Sequence, residues 1–212
     1  MIRKFNGEDK EAAKMDLDKK KGIKDNLIAE LGVQEAEAIW KRAKDILQEI
    51  EDRYPDLPGG QQMHAEYIFP SAAIQLAVKE MKGDPELGYR AISKFSWDRS
   101  KAMGAKIRKM AKIPGFKSMF IKIWDPISKK MFGPDAGFKN VFYPKKKGEY
   151  KMDIVQCPYN TYFTELGTPE LTKIFCINDE CTYGGIPGLE FIRHTTLGTG
   201  GDKCDFYIRL RK

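Results

Sequence analysis

Apolar positions recur at three- and four-residue steps through the first half of the chain and at alternate positions in its last third. Ala36, Trp40, Ala43, Leu47, Ile50 and Tyr54 form one stripe, which makes 33–54 the clearest helix. Residues 8–31 have a helical but weakly amphipathic pattern, with the charge run Asp16 to Lys21 on a solvated face. Pro55, Pro58, Gly59 and Gly60 stop the 33–54 stripe. A second helix is expected to start near Pro70, where a missing N–H costs nothing, and to stop near Gly83. Asp84-Pro85 is an N-cap and first-turn pair for a third, which buries Leu87, Ala91, Ile92 and Phe95 and runs past Trp97. Helical spacing continues from Lys101 to Lys130, broken by Gly104, Pro114 and Gly115, and 125–137 reads as a loop.

After residue 138 the texture changes. Asn140 to Tyr143 and Tyr150 to Gln156 read as strands across the turn-like PKKKG, with Cys157 at the strand end, on the face opposite Tyr150, Met152 and Ile154. A short helix is expected after Asn160, stopped at Leu166-Gly167, and another over Pro169 to Asn178. Leu189 to Leu197 and Cys204 to Leu210 form a hairpin around GTGGDK. The expected fold is α+β: one domain over 1–212, with a helical part (1–125) packed on a small antiparallel sheet in the cysteine-containing part (138–212).

Composition narrows the class. Hydrophobic residues make up 42% and aromatics 11%, values of a globular chain. No apolar run reaches the ~18–20 residues needed to span a bilayer, and the basic start has no apolar stretch behind it. A cytoplasmic protein with reduced thiols is therefore expected, with no membrane partner. The net charge of +7 arises in the middle of the chain: residues 79–151 hold 19 basic and 7 acidic side chains, against 6 and 8 in 152–212. Lys106, Arg108, Lys109, Lys112 and Lys117 interleave with apolar helix positions, the pattern of a solvated face. No nucleic-acid recognition motif accompanies them, so the expected partner is a small molecule, with a homo-oligomer left open.

The reactive side chains concentrate at the other end. Cys157, Cys176, Cys181 and Cys204 all fall after residue 150, with His194 and Asp179, Asp202 and Asp205. Cys157 ends a strand before a proline, where a side chain can open into a cleft. Cys176 and Asp179, three apart, share a helical turn, so the carboxylate could hold a cationic ligand, act as acid or base, or simply end a helix beside a buried thiol. Cys204 alternates with Phe206, Ile208 and Leu210 and reads first as a core cysteine. His194 could serve a thiolate as base. His64 stands as a lone histidine before the Pro70 helix. Arg193 could fork onto a substrate carboxylate. Cys157, Cys176 and Cys204 with His194 or Asp179 could make a tetrahedral zinc shell, although no close C-x-x-C pair exists. No other cofactor is expected.

Cys157-Pro158-Tyr159, Glu165-Leu166-Gly167 with Pro169-Glu170-Leu171, Phe175-Cys176 with Asp179, Phe191 followed by Arg193 and Thr195, and Gly200-Gly201-Asp202 with Cys204-Asp205-Phe206 resemble the L-2-amino-thiazoline-4-carboxylic acid hydrolases. The likeness covers roughly 60–210, and Glu66 to Pro70 fits it more loosely. It implies hydrolytic opening of a small cyclic C–N/C–S compound. Cys157 or Cys176 would be nucleophile, or ligand of whatever activates water. Asp179 would steady the amidine and Asp202 would be a second acid or base, with Cys204 and His64 as further catalytic candidates. Tyr159, Arg193 and the Gly200-Gly201 amides would bind substrate. On this reading, loss of Asp179 removes about 10²–10⁴ of turnover and leaves the fold intact. GGDKCDF also resembles the end of vinyl-reductase-type small-molecule-binding domains, which implies a sensor-like binding module with a structural zinc instead.

Overall fold

The computed structural model describes residues 15–211. It is α+β: seven α-helices among the described residues and a four-stranded antiparallel sheet drawn from the C-terminal part. After a 3₁₀ turn at Leu17–Lys20 come α1 (Lys21–Leu31), α2 (Val33–Arg53), α3 (Gly59–Lys82), α4 (Pro85–Met110) and α5 (Phe116–Met131). Then follow β1 (Lys139–Phe142), β2 (Glu149–Gln156), α6 (Pro158–Glu165), α7 (Thr172–Tyr183), β3 (Leu189–Ile192) and β4 (Cys204–Leu210). Residues 8–14 of the first expected helix lie outside the described residues.

On α2, Ala36, Trp40, Ala43, Leu47 and Ile50 bury as expected, joined by Ile39 and Ile46, and the helix packs on α1 and α3. The second helix differs. It begins at Gly59, and Pro70 lies inside it, not at its start. Pro70 removes one backbone hydrogen bond, but Ala65, Ile68, Phe69, Ala72, Ala73 and Ile74 on both sides of it are fully buried, and that burial carries the helix through. Two other expected breaks are also absent. α4 passes through Gly104 without interruption, and α5 extends over Pro126 into the segment expected to be a loop.

The sheet order is β1-β2-β4-β3, with Met152 opposite Phe206 and Ile154 opposite Cys204. The inner face of the sheet packs on α5 through Trp124, Tyr150, Met152, Phe206 and Ile208, and the helices hold a separate apolar cluster around Phe69, Ile74, Phe163 and Ile174. Tyr159 of α6 packs against both. No helix among the described residues is long and apolar enough to cross a membrane.

α7 is seated by its contact with α4. A side chain at Gly104 would meet the backbone carbonyls of Cys181 at 2.4 Å and Thr182 at 2.9 Å, so the helices touch backbone to backbone there. Because neither carbonyl can swing aside, Gly104→Ala should lose about 1–3 kcal/mol by overpacking. That exceeds the ~1 kcal/mol that alanine brings in helix propensity. Urea unfolding should show a lower midpoint, and lower still for Gly104→Val. An unchanged or raised midpoint would mean that α4 and α7 are free to separate.

Candidate active site

Where α3, the end of α5, the sheet and α7 converge, they enclose a cavity of about 330 Å³. Its walls are mainly apolar: Met63 and Tyr67 on α3, Met131 and Phe132 at the end of α5, Phe138, Ile154 on β2 and Phe175 on α7. Into it come Cys157, Cys176 and Cys204, together with His64, Tyr159, Asp179 and Arg193. Cys157 reaches it because the chain leaves strand alternation there. It becomes the N-cap of α6 and lines the same hollow as Ile154, not the opposite face.

The three thiols differ electrically. Burial pushes the Cys157 thiol up to about 12, against a smaller downward pull from the amides of Asn160 and Tyr159. Cys176 moves the other way. The Cys204 thiol donates to it, Thr196 Oγ1 and the Gly198 N–H add to this, and the Arg193 charge lies nearby, so its thiol falls well below the ordinary value of 9.0 in spite of burial. Cys204 keeps its proton, raised by that same hydrogen bond and by burial, while the Leu197 N–H donates to its sulfur at 3.2 Å. The two sulfurs titrate as a coupled pair, and the donors gathered around Cys176 favour the negative charge there.

Arg193 follows directly on β3. Its side chain is 4% exposed, its Nη2 donates to Asp179 Oδ2 at 2.6 Å, and its Nη1 donates to the Cys176 carbonyl at 2.9 Å. Its guanidinium lies over the rings of Phe191 and Phe206. Asp179 is therefore already ion-paired. Its Oδ1 takes no hydrogen bond from the described residues and is the one carboxylate oxygen left for a ligand. Across the cavity, His64 Nε2 lies 2.7 Å from the Met131 carbonyl, which can only accept, so Nε2 carries the proton. Burial lowers the His64 pKa and keeps the ring neutral, and Nδ1 accepts from the Tyr159 hydroxyl at 3.2 Å.

Other expected site residues stand elsewhere. Asp202 is exposed and does not line the cavity. His194 is on the surface, 78% exposed, with Nδ1 on Asp205 at 2.6 Å, so it serves no thiolate and joins no cysteine shell. Gly200 and Gly201 are not in the cavity wall, and their N–H groups are spent on Leu197 and Thr196 carbonyls inside the turn, which leaves none for a substrate carboxylate. Cys181 is also outside. Among the described residues, no group of three or more His, Cys, Asp and Glu side chains could hold a metal ion. Of the proposed zinc ligands, Cys157, Cys176, Cys204 and Asp179 line the cavity without closing into a metal-holding set, and His194 stands outside it.

Compared with known families, residues 61–208 match the model for L-2-amino-thiazoline-4-carboxylic acid hydrolase. The chain belongs to that family. No curated protein and no solved structure matches it. Every cavity-lining residue, from Met63 to Cys204, falls inside the span shared with the thiazoline-carboxylate hydrolase family.

Sequence reasoning missed the residues that tune Cys176. Thr196 supplies a hydroxyl and Gly198 an amide, and a side chain at 198 would come within 2.8 Å of the Cys176 sulfur. The signal was present in the run Leu197 to Gly201, but its functional glycine is Gly198 and not the Gly200-Gly201 pair.

Asp179 also has a structural task that its spacing from Cys176 did not disclose. Asp179→Asn leaves a buried guanidinium without its counter-charge. Removing one partner of a fully buried pair costs ~3–5 kcal/mol, and since Asp179 is 32% exposed we expect about 1–3 kcal/mol. The check is the urea midpoint near neutral pH, and a wild-type value would contradict the clamp.

Proposed function

We propose that this chain is a cysteine-dependent hydrolase that opens a small cyclic amidine or isothiourea, the class to which 2-amino-thiazoline-4-carboxylate belongs. One observation carries the reading: Cys176 lines an apolar cavity with the Cys204 thiol, Thr196, the Gly198 amide and the Arg193 charge gathered about its sulfur, which pull its thiol down, while burial pushes the Cys157 thiol up. Family membership supports the reaction type.

The amidine carbon C2 is the electrophile. The Cys176 thiolate forms a bond to C2, a ring C2–S or C2–N bond breaks, and the departing atom takes a proton. Water then adds to the same carbon and the Cys176 sulfur leaves, so one water is consumed overall. Cys204, hydrogen-bonded to Cys176, would become a proton donor to the departing atom once the Cys176 sulfur is bonded to carbon and no longer holds its proton. Asp179 Oδ1 faces the amidinium nitrogens, and Arg193 fixes the carboxylate in that attitude. Tyr159, with its proton committed to His64, offers its oxygen lone pairs to an N–H of the substrate.

The test incubates the protein with 2-amino-2-thiazoline and with its 4-carboxylate and follows the gain of one water by mass spectrometry. Turnover of at least one of the two rings is expected in the wild type and should fall on the order of 10³-fold or more in Cys176→Ala, while Cys157→Ala stays within about tenfold. Undiminished turnover in Cys176→Ala would overturn the assignment. Tight binding of these rings with no turnover would favour the binding-module reading.

A further inference from the structure

The cation that the family's carboxylated substrate would pair with is already spent in this chain, which leaves the Thr172 hydroxyl as an unpartnered neutral donor in the wall. Among the described residues, Arg193 is the one cation in the cavity wall. It is 4% exposed and donates to Asp179, to the Cys176 carbonyl and, at 3.4 Å, to the Asp205 carbonyl. The glycine-loop amides are closed into their own turn. None of the 19 lysines and arginines of segment 79–151 lines the cavity. Lys20 sets its ammonium on the Tyr67 ring, 3.9 Å from the centroid, and is likewise outside the wall. Asp179 and Arg193 neutralise each other and His64 is uncharged, so no net positive charge faces the cavity.

A carboxylate placed here would lose its water and gain no cation, which is strongly unfavourable. A cation would meet the Asp179 carboxylate, whose Oδ1 takes no hydrogen bond from the described residues, beside the Cys176 sulfur in the same wall. Size points the same way. Roughly 150 Å³ is enough to take one benzene ring, so about 330 Å³ has room for a five-membered ring and an apolar substituent as large again.

We propose that the natural substrate of this chain is an amidinium or isothiouronium ring cation that carries an apolar or aryl substituent and no carboxylate. This rests on the hydrolase reading only for the word substrate. As a statement about the ligand class of the cavity, it stands on the charge and shape of the wall.

Calorimetric titration with 2-amino-2-thiazoline, its 4-carboxylate and its 4-phenyl derivative tests it, on the wild type and on Cys176→Ser, which cannot turn over. The 4-phenyl ring should bind at least tenfold more tightly than the carboxylate in both proteins, and the parent ring should fall between them. Equal or tighter binding of the carboxylate would overturn the inference and leave the role of Cys176 standing, as would failure of all three to bind. If the 4-phenyl ring binds with the expected preference but is never hydrolysed, the inference holds and the hydrolase reading fails.

Discussion

The site depends on one buried guanidinium. Arg193 leaves the end of β3 and fastens it to α7 twice, at the Cys176 carbonyl and at Asp179, while reaching the Asp205 carbonyl of β4. A charge sealed from water is costly unless its donors are met, so the requirements of Arg193 set where α7 sits on the sheet. That seating brings Cys176 of the helix against Cys204 of the strand and places Asp179 in the cavity wall. The Arg193 charge also helps lower the Cys176 thiol, so the same contact orders the site and tunes it.

The elements that the sequence made legible were those whose pattern is local. The α2 stripe and the Cys204–Leu210 alternation follow from periodicity alone, because one buried face repeats at fixed steps. Pro70 was misread as a helix start and Gly104 as a break, both for a tertiary reason. Around Pro70 the buried side chains outweigh one lost hydrogen bond, and at Gly104 the missing side chain admits the backbone of α7. Neither neighbour is visible along the chain.

The candidate site divides in the same way. Resemblance and residue type selected Cys157, Cys176, Cys204, Asp179, Arg193, Tyr159 and His64, and these share one hollow. Asp202, His194, Gly200 and Gly201 came from the same stretch and do not. The difference lies in the turn after β3. It folds its own amides inward, exposes His194 and Asp202, and offers only Thr196, Leu197 and Gly198 to the sulfur pair. A family motif identifies a turn of this kind, but which of its atoms face the ligand is decided by hydrogen bonds between residues a few positions apart. The pairing of Arg193 with Asp179 was hidden for a related reason, since each residue alone had been read as a ligand contact.

The most direct measurement of this account is the pH profile of Cys176 alkylation by a small neutral reagent, read by peptide mapping in the wild type and in Arg193→Met. The account predicts that Cys176 is modified before Cys157 and Cys204 at neutral pH. Its profile should rise with a midpoint below the ordinary thiol value of 9.0, and loss of the guanidinium should move that midpoint upward. A Cys176 that titrates at or above 9.0, or a profile indifferent to Arg193, would contradict it.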